Sequence, residues 1–341
     1  MEIGIILPPQ PGRAAQLAQL AEGLGFDSLR FPDSQNLAPE VWGQLMVAAG
    51  ATSRITLGPG VTNSVTRDPA VTASAALGLQ VESKGRAACG IGRGDSAVQR
   101  IGKDTDPVAS FETYIARLQA YLSGETVDRD GFASRIEWLP AVKHAKVPVE
   151  ITATGRKVID LAARRADRVA LAVGADLEHL GEAREQALES ARRAGRDAGA
   201  LRIGAYLNCF VSDDRAVARD AVRGTVATFA RFSAFKGSQL ARLPAPLQKV
   251  AAYLREHYDM RVHTRSEAEH ARALEDEFID WFAITGPAPE VADRLRKVAA
   301  LRIEFAHLVP GASERSRDAA TASLKALGTE VAPAVRGTRA G

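Results

Sequence analysis

Short apolar runs alternate with amphipathic runs along the first 235 residues. Runs rich in Val, Ile, Leu and Phe predict strands that are buried on both faces, because such strands are apolar almost throughout. The predicted strands before residue 236 are 2–7, 26–31, 55–61, 86–91, 147–153, 168–173 and 203–211. Apolar residues at helical spacing predict helices over 13–24, 39–51, 69–81, 107–122, 156–166, 177–199 and 215–235.

Strands and helices in strict alternation predict a parallel sheet with helical crossovers. The alternation breaks at 237–285, a helix-rich insertion, and resumes with a helix at 287–300, an eighth strand at 303–309 and a last helix. Eight such units favour an α/β fold, a (β/α)8 TIM barrel with insertion segments. We expect one barrel domain over 1–328 and a fraying tail over 329–341, which is rich in Ala, Pro, Gly and Arg.

Composition narrows the class of protein. Hydrophobic residues make up 46% of the chain and charged residues 25%, which excludes disorder as the main state. The net charge of +3 gives no electrostatic footprint for nucleic acid or an anionic membrane. No uncharged run approaches the roughly 20 residues that span a bilayer, and no signal peptide is visible. We expect a cytoplasmic protein with Cys89 and Cys209 as buried free thiols.

In a (β/α)8 barrel, chemistry lies where the strands end and the βα loops begin. Several short segments of this chain therefore become candidates for a functional site. They are 8–11, 32–36, 58–67, 90–95, 153–157, Asn208 and 310–311.

The glycine-rich segment 90–95 (GIGRGD) invites comparison with dinucleotide-binding loops. The Rossmann pattern needs its third glycine where Asp95 stands, so that interpretation fails. Glycines still allow a backbone to approach a flat ligand or an anion closely. A tight βα turn with a helix cap explains the same residues equally well.

The segment TATGRK (152–157) ends one predicted strand and opens a helix. Backbone N–H groups at a helix start attract anions, and Arg156 and Lys157 add positive charge there. Cations are unfavourable at that end of a helix unless an anion answers them, so the placement indicates phosphate. A solvated basic pair is the alternative.

Two carboxylates and one bulge complete the candidates. Asp33 and Asp95 lie at predicted strand ends, where a carboxylate can transfer a proton, although each could instead be a cap or an ion-pair partner. Two glycines around Pro59 can form a bulge at a ligand site, or only a corner of the barrel. The six histidines form no HExxH motif and the two cysteines lie far apart, so we expect no metal site. His307 on the eighth strand fits core packing better than chemistry.

Two longer blocks carry a resemblance to a known family. The runs LGPGVTNSVTRDPAVTASA (57–75) and GRAACGIGRGDSAVQRIG (85–102) resemble the luciferase-like flavin barrel superfamily. Within it, the chain is most similar to the methylenetetrahydromethanopterin reductase-like branch, whose members use coenzyme F420. The ATGRK turn and the segment TGPAPEVADRLRKVAALRIEFAHLV (285–309) agree, and the resemblance spans about residues 1–328.

The resemblance implies a flavin or deazaflavin at the carboxyl-terminal mouth of the barrel, held partly by a non-prolyl cis peptide between Gly60 and Val61. It implies Asp95 as the main proton-handling residue, with Asp33 as the second candidate. The cofactor-binding residues that it implies are Gly60, Val61, Thr62, Asn63, Gly92, Arg93, Gly94, Thr154, Gly155, Arg156 and Lys157.

The chain departs from the reductases at two positions near the substrate. Ile6 stands where they carry an acid, and Ser34 follows Asp33 where they carry histidine. The resemblance therefore implies hydride transfer between F420 and a C=C, C=N or C=O bond of another small molecule. The alternatives are a luciferase-like monooxygenase that uses reduced FMN, and a non-catalytic flavin-binding paralogue. The resemblance also implies a homodimer, and a flavin or F420 reductase as a possible electron supplier.

Overall fold

The computed structural model describes residues 1–234, 240–311 and 313–337. Its strands are β1 Glu2–Ile6, β2 Ser28–Phe31, β3 Thr56–Pro59, β4 Thr62–Asn63, β5 Cys89–Gly92, β6 Val127–Arg129, β7 Phe132–Ser134, β8 Val149–Ala153, β9 Arg168–Leu171, β10 Arg202–Val211, β11 Ile284–Gly286 and β12 Phe305–Val309. Its α-helices are α1 Ala14–Gly23, α2 Val41–Ala51, α3 Pro69–Glu82, α4 Ser96–Gln99, α5 Val108–Ser123, α6 Arg156–Arg165, α7 Leu177–Arg193, α8 Arg215–Phe232, α9 Ala245–His257, α10 Glu269–Arg272, α11 Asp276–Phe282, α12 Ala288–Ala300, α13 Arg317–Ala326 and α14 Ala332–Arg336.

The main sheet is parallel and closes on itself. Its hydrogen-bonded order is β3-β2-β1-β12-β10-β9-β8-β5-β4, and β3 and β4 lie on either side of a break in one strand position. A parallel bridge between Leu57 and Ala87 joins β3 to the segment that enters β5 and closes the ring. The ring has eight strand positions surrounded by helices, so the predicted (β/α)8 barrel is confirmed.

Alternation along β10 shows how the sequence divides the two faces of the sheet. Leu207 and Cys209 belong to the large core between the strands and the surrounding helices. Gly204 lies against the ring of Phe305, and Tyr206 belongs to the smaller cluster that fills the barrel. Because strand side chains alternate, even-numbered residues of β10 face the barrel axis.

The centre of the barrel holds a buried ionic network. Glu150 accepts from Arg30 at 3.2 Å and from His307 at 2.9 Å, and it lies 3.0 Å from the guanidinium of Arg168. Burial alone would raise the pKa of Glu150, but the neighbouring Arg30, His307 and Arg168 lower it below its ordinary value. His307 is 1% exposed, and burial lowers its pKa, so the expectation that it packs in the core is confirmed. Gly58 leaves space for this network, since a Cβ there would lie 2.4 Å from the Arg30 guanidinium.

The insertion forms a second core beside the barrel mouth. Helices α9, α10 and α11 pack against α8 through apolar side chains such as Leu254, Phe278 and Ile279. Phe210, near the end of β10, belongs to the same cluster and joins it to the barrel. The predicted insertion begins at 237 and the predicted helix 215–235 ends at Phe235, and those points lie outside the described residues.

Several boundaries differ from the predicted ones. Helix α7 ends at Arg193 rather than at 199, because Gly195 takes a positive φ of 71° that stops the helix. The hairpin of β6 and β7 and the short strand β11 were not predicted. Their apolar patterns are too short to separate from loop sequence.

The predicted fraying after Thr329 is wrong for residues 330–337. A π-helical turn over Leu327–Val331 leads into α14, and Val331 and Val335 are buried. The guanidinium of Arg336 donates to the carbonyl of Gly25 at 2.8 Å and fastens this helix to the barrel. The sequence prediction missed the helix because the apolar i, i+4 pair Val331 and Val335 stands in a stretch rich in Ala and Pro. Residues 338–341 lie outside the described part.

Both cysteines are free and fully buried, which confirms the expectation. Burial raises the pKa of Cys89 and of Cys209 to about 12, so neither thiol is set up as a nucleophile. Within the described residues, no helix combines the length and apolarity that a bilayer crossing requires.

We expect Arg30→Met to lower the free energy of unfolding by about 3 kcal/mol, because it takes one partner from a buried carboxylate. Urea denaturation followed by circular dichroism measures the change. Arg135→Met removes an ion pair whose side chains are 57% and 72% exposed, and should leave the midpoint unchanged. Equal midpoints for Arg30→Met and the wild type would show that the network does not stabilise the barrel.

Candidate active site

The third strand position breaks at the mouth of the barrel. The peptide between Gly60 and Val61 is cis, as the resemblance implied, and the chain resumes as β4. A Cβ at Gly60 would lie 2.5 Å from the Cβ of Arg30, so only glycine fits against that strand. Val61 leans over β5, where a Cβ at Gly92 would lie 3.2 Å from it. The bulge and the glycine strand therefore form one wall of the mouth.

Asn63 and Gly94 shape the loops above this wall. The side-chain oxygen of Asn63 accepts from the backbone N–H groups of Val65 and Thr66, at 3.0 and 2.9 Å. Its amide nitrogen is buried and has no partner among the described residues. Gly94 has a φ of 95°, and a Cβ there would lie 2.4 Å from Val98. The wall thus carries a spare hydrogen-bond donor, the amide of Asn63, beside a loop in which position 94 requires glycine.

Asp33 follows β2 and is held by its neighbours. Its carboxylate accepts from the hydroxyl of Thr62 at 2.7 Å and from the guanidinium of Arg67, and its side chain is 2% exposed. Arg67 also contacts Glu40 at 2.7 Å. Burial by itself lowers the pKa of Arg67, but the attraction of Asp33 and Glu40 raises it overall. The structure therefore brings two predicted site residues, Asp33 and Thr62, into direct contact.

Asp95 forms an ion pair with an arginine of α8. The Arg231 guanidinium, from α8, donates to the Asp95 carboxylate, and it also donates to the side-chain oxygen of Gln99 at 2.9 Å. The Arg231 guanidinium lies 4.5 Å above the ring of Tyr258. The side chain of Asp95 is 16% exposed. An acid at the mouth is therefore paired with a cation from α8, and that cation packs on Tyr258 of the insertion.

The two acidic loops touch each other. The hydroxyls of Ser34 and Ser96 are hydrogen bonded, and Gln35 donates to the carbonyl of Ala97 at 2.7 Å. Asp33 and Asp95 therefore lie on neighbouring loops of one mouth, as the strand-end rule predicted.

The first turn of α6 is positively charged. Gly155 is its N-cap and supplies no side chain, whereas α3, α7 and α8 are capped by aspartates. The side chains of Arg156 and Lys157 are exposed and form no ion pair within the described residues. A Cβ at Gly155 would meet nothing within 4 Å, so the space before this helix is open. The arrangement suits an anion.

The remaining predicted residues have local partners. The hydroxyl of Thr154 donates to the carbonyl of Ala172 at 3.3 Å. Arg93 donates from Nε to the carbonyl of Asp106 at 2.6 Å, and burial lowers its pKa. Arg93 therefore braces the loop after β5, and its binding of cofactor, which the resemblance implies, stays a prediction.

Sequence reasoning missed the partners of both acids. Arg67 lies within the 57–75 block, but nothing in the sequence separates it from an ordinary surface arginine. Arg231 is 136 residues from Asp95, and no local pattern connects them. Tyr258, whose ring lies under the Arg231 guanidinium, is hydrogen bonded to His263 at 2.7 Å, and both residues belong to the irregular insertion. In the described part of the chain, no group of three or more His, Cys, Asp or Glu side chains could hold a metal ion.

The barrel, its break at the third strand position and its glycine loop after β5 are the features that the resemblance implied for a luciferase-like barrel. A family model described as luciferase-like monooxygenase matches residues 1–304, and the chain belongs to that family.

Curated relatives and solved structures agree with this assignment. The 5,10-methylenetetrahydromethanopterin reductase of Methanolobus tindarius is 34% identical over 232 residues, 67% of this chain and 71% of the relative. The enzyme of the same name from Archaeoglobus fulgidus is 30% identical over 284 residues, covering 82% and 84%. The solved coenzyme F420 dependent tetrahydromethanopterin reductase of Methanopyrus kandleri has a TM-score of 0.71 at 23% identity, covering 97% of this chain and 98% of that one, and so shares the fold.

His263, in the insertion, should make the free energy of unfolding depend on pH. Burial lowers the pKa of His263 to about 4, from an ordinary value near 6.5. Between these values the unfolded chain binds a proton that the folded protein does not, so stability falls as the pH falls from about 6.5 to about 4. We expect the stability of the wild type to decline relative to His263→Gln by up to about 3 kcal/mol over that range. Urea denaturation at several pH values measures this, and parallel curves for the two proteins would contradict it.

Proposed function

We propose that the protein is a coenzyme F420-dependent oxidoreductase that transfers a hydride between the deazaflavin and a small organic substrate. The observation that carries the proposal is the match to two reductases at 34% and 30% identity, over 71% and 84% of their lengths. The tetrahydromethanopterin reductase of Methanopyrus kandleri, which shares the fold, is coenzyme F420 dependent, and this supports F420 as the cofactor.

The residues at the mouth fit such a cofactor. Gly92 and Gly94 pack their backbone against Val61 and Val98 and present no side chain to a flat ring system, and the spare amide donor of Asn63 suits a ring carbonyl. Gly60, Val61 and Thr62 would back the ring. Arg156 and Lys157, with the backbone at Thr154 and Gly155, would hold its phosphate.

The bound deazaflavin supplies hydride chemistry at one ring carbon, and this chain supplies position, a dry pocket and proton handling. Asp95 accepts a proton from a substrate O–H or N–H in the oxidative direction and returns it in the reductive direction. Arg231 holds the Asp95 carboxylate in place. Asp33, which Thr62 and Arg67 hold beside the bulge, is the second candidate for the same role.

The substrate is a molecule other than methylenetetrahydromethanopterin. Ile6 is 7% exposed and places an aliphatic side chain inside the barrel, where the resemblance implies an acid in the reductases. Ser34 is bound to Ser96 in place of a histidine. The mouth therefore lacks the acid and the histidine that the resemblance implies for the reductases, which supports a different substrate.

Other features of the proposal concern organisation. The barrel and its insertion over 1–328 act as one domain in the cytoplasm, and a second copy of the chain pairs through α2 and α3. Helix α2 carries no charged residue, and Val47 and Val71 on these two helices are 52% and 56% exposed, which supports an apolar contact there. An F420 reductase is a possible electron supplier.

We expect the purified protein to bind F420 at least tenfold more tightly than FMN, measured by ligand fluorescence for the oxidised and reduced forms.

We expect Lys157→Glu to weaken F420 binding about tenfold or more, because it removes a charged contact to phosphate. Arg192→Glu makes the same charge change at the exposed end of α7 and serves as the control.

Selective binding of reduced FMN would contradict the F420 proposal and favour the luciferase-like monooxygenase. Equal F420 affinity for Lys157→Glu and Arg192→Glu would show that the phosphate lies elsewhere. Tight binding of F420 without turnover of any carbonyl, imine or alkene would favour the non-catalytic paralogue.

We expect Asp95→Asn to lower turnover about 100-fold or more while F420 affinity changes less than threefold, because it removes a proton acceptor and keeps the shape. Steady-state F420 absorbance over a range of pH measures turnover. Asp104→Asn, an exposed acid on the same loop, is the matched control. Full turnover by Asp95→Asn at every pH would move the role to Asp33.

A further inference from the structure

Asn208 has a buried side chain without hydrogen-bond partners. The residue is 1% exposed, and neither its amide nitrogen nor its oxygen is paired within the described residues. Buried polar side chains in proteins are nearly always paired, because a buried unpaired amide lowers stability. An unpaired amide inside a barrel is therefore a feature that a ligand would explain.

Alternation along β10 places this amide at the mouth. Two residues earlier, Tyr206 packs inside the barrel against His307, with ring centroids 5.1 Å apart, and stacks on Phe229 at 6.2 Å. Two residues later, Phe210 belongs to the core of the insertion. Asn208 therefore lies on the inner face of β10, between the barrel interior and the insertion, at the end where the strands run out.

The strand order tells which side of the mouth Asn208 occupies. Counted around the ring of eight positions, β10 lies four positions from β3 and is therefore directly opposite it. A planar cofactor placed against Gly60 and Val61 turns its other face toward β10. The molecule that reaches Asn208 across that face is the reaction partner of the cofactor.

The surroundings of Asn208 restrict the chemistry of that partner. Val309 is its register partner on β12, and Val309, Ala172 and Tyr206 belong to the same buried cluster. The cations Arg30 and Arg168 also face the barrel interior, but both contact Glu150. A mostly apolar wall with a spare amide and the unpaired hydroxyl of Tyr206 suits a small uncharged molecule that carries a carbonyl or hydroxyl group.

We propose that Asn208 binds the substrate: its amide N–H donates to the carbonyl oxygen of a small neutral compound, and its side-chain oxygen accepts from the hydroxyl of the reduced form. The substrate role rests on the proposed F420-dependent function. Because the amide is covered in this structure, binding requires neighbouring side chains to move aside. The half-buried Phe229, stacked on Tyr206, borders the same wall.

The first experiment compares thermal unfolding of two variants without ligand. Asn208→Leu removes an unpaired amide and should leave Tm unchanged or raise it by about 1–2 °C. Gln80→Met is the matched control: Gln80 is 2% exposed, and both ends of its amide are paired, with the carbonyl of Ala145 at 2.7 Å and the N–H of Ala87 at 2.9 Å. Gln80→Met should lower Tm by about 2–4 °C. An equal loss in both variants would make Asn208 a structural residue and overturn the proposal.

The second experiment observes the amide directly. The chain has three asparagines, Asn36, Asn63 and Asn208, so deuterated protein labelled with ¹⁵N-asparagine gives three pairs of side-chain amide signals, one pair per residue, that single variants assign. Cyclohexanone is the neutral carbonyl probe, and pyruvate is the anionic one. In F420-loaded protein we expect cyclohexanone to shift the Asn208 signal, pyruvate to shift it at least fivefold less at equal concentration, and the exposed Asn36 signal to stay in place.

The two proposals fail in different ways. A shift of the Asn208 signal by F420 alone would make it a cofactor residue, and no shift with cyclohexanone, or an equal shift with pyruvate, would also overturn the inference. The proposed function fails instead if F420 neither moves the Asn63 signal nor changes its own fluorescence. In that case the cyclohexanone titration of the free protein still shows whether Asn208 binds a neutral carbonyl.

Discussion

The structure depends on closing eight parallel strands around a centre that is partly ionic. Glu150 lies there with two arginines and a histidine from three other strands, all away from water. A charge in such a place is tolerated only when opposite charges and hydrogen bonds surround it. The network therefore requires β2, β8, β9 and β12 to hold one register. That register fixes which side chains stand one layer higher, at the mouth.

The mouth has two unlike walls as a result. On the side of β3, β4 and β5, the glycines and the bulge form a wall of backbone with few side chains, and Asn63 supplies one unused donor. On the side of β10, side chains are larger and mostly apolar, and the amide of Asn208 and the hydroxyl of Tyr206 are unpaired there within the described residues. Such a division suits a cofactor and a small substrate that meet face to face.

Helix α8 and the insertion complete the mouth through contacts between residues that are far apart in the chain. Arg231 reaches Asp95 from α8, and the same guanidinium lies over Tyr258 in the insertion. Asp95, for which the sequence left both proton transfer and ion pairing open, is therefore held by a cation. Asp33 has the same arrangement with Arg67. Each carboxylate is oriented by a partner, which favours a defined geometry over a mobile one.

The sequence by itself determined the order of strands and helices, the barrel, the family and the loops that carry the candidate site. Those properties depend on local periodicity and on glycines whose need is local, as at Gly94. Only the tertiary structure decided the partners of Asp33 and Asp95, the bracing role of Arg93, the packed tail around Val331 and the unpaired amide of Asn208. These depend on contacts between residues far apart in the chain, and periodicity carries no information about them. Asn208 shows the difference most clearly, because its position at a strand end was visible in the sequence, whereas its lack of partners was not.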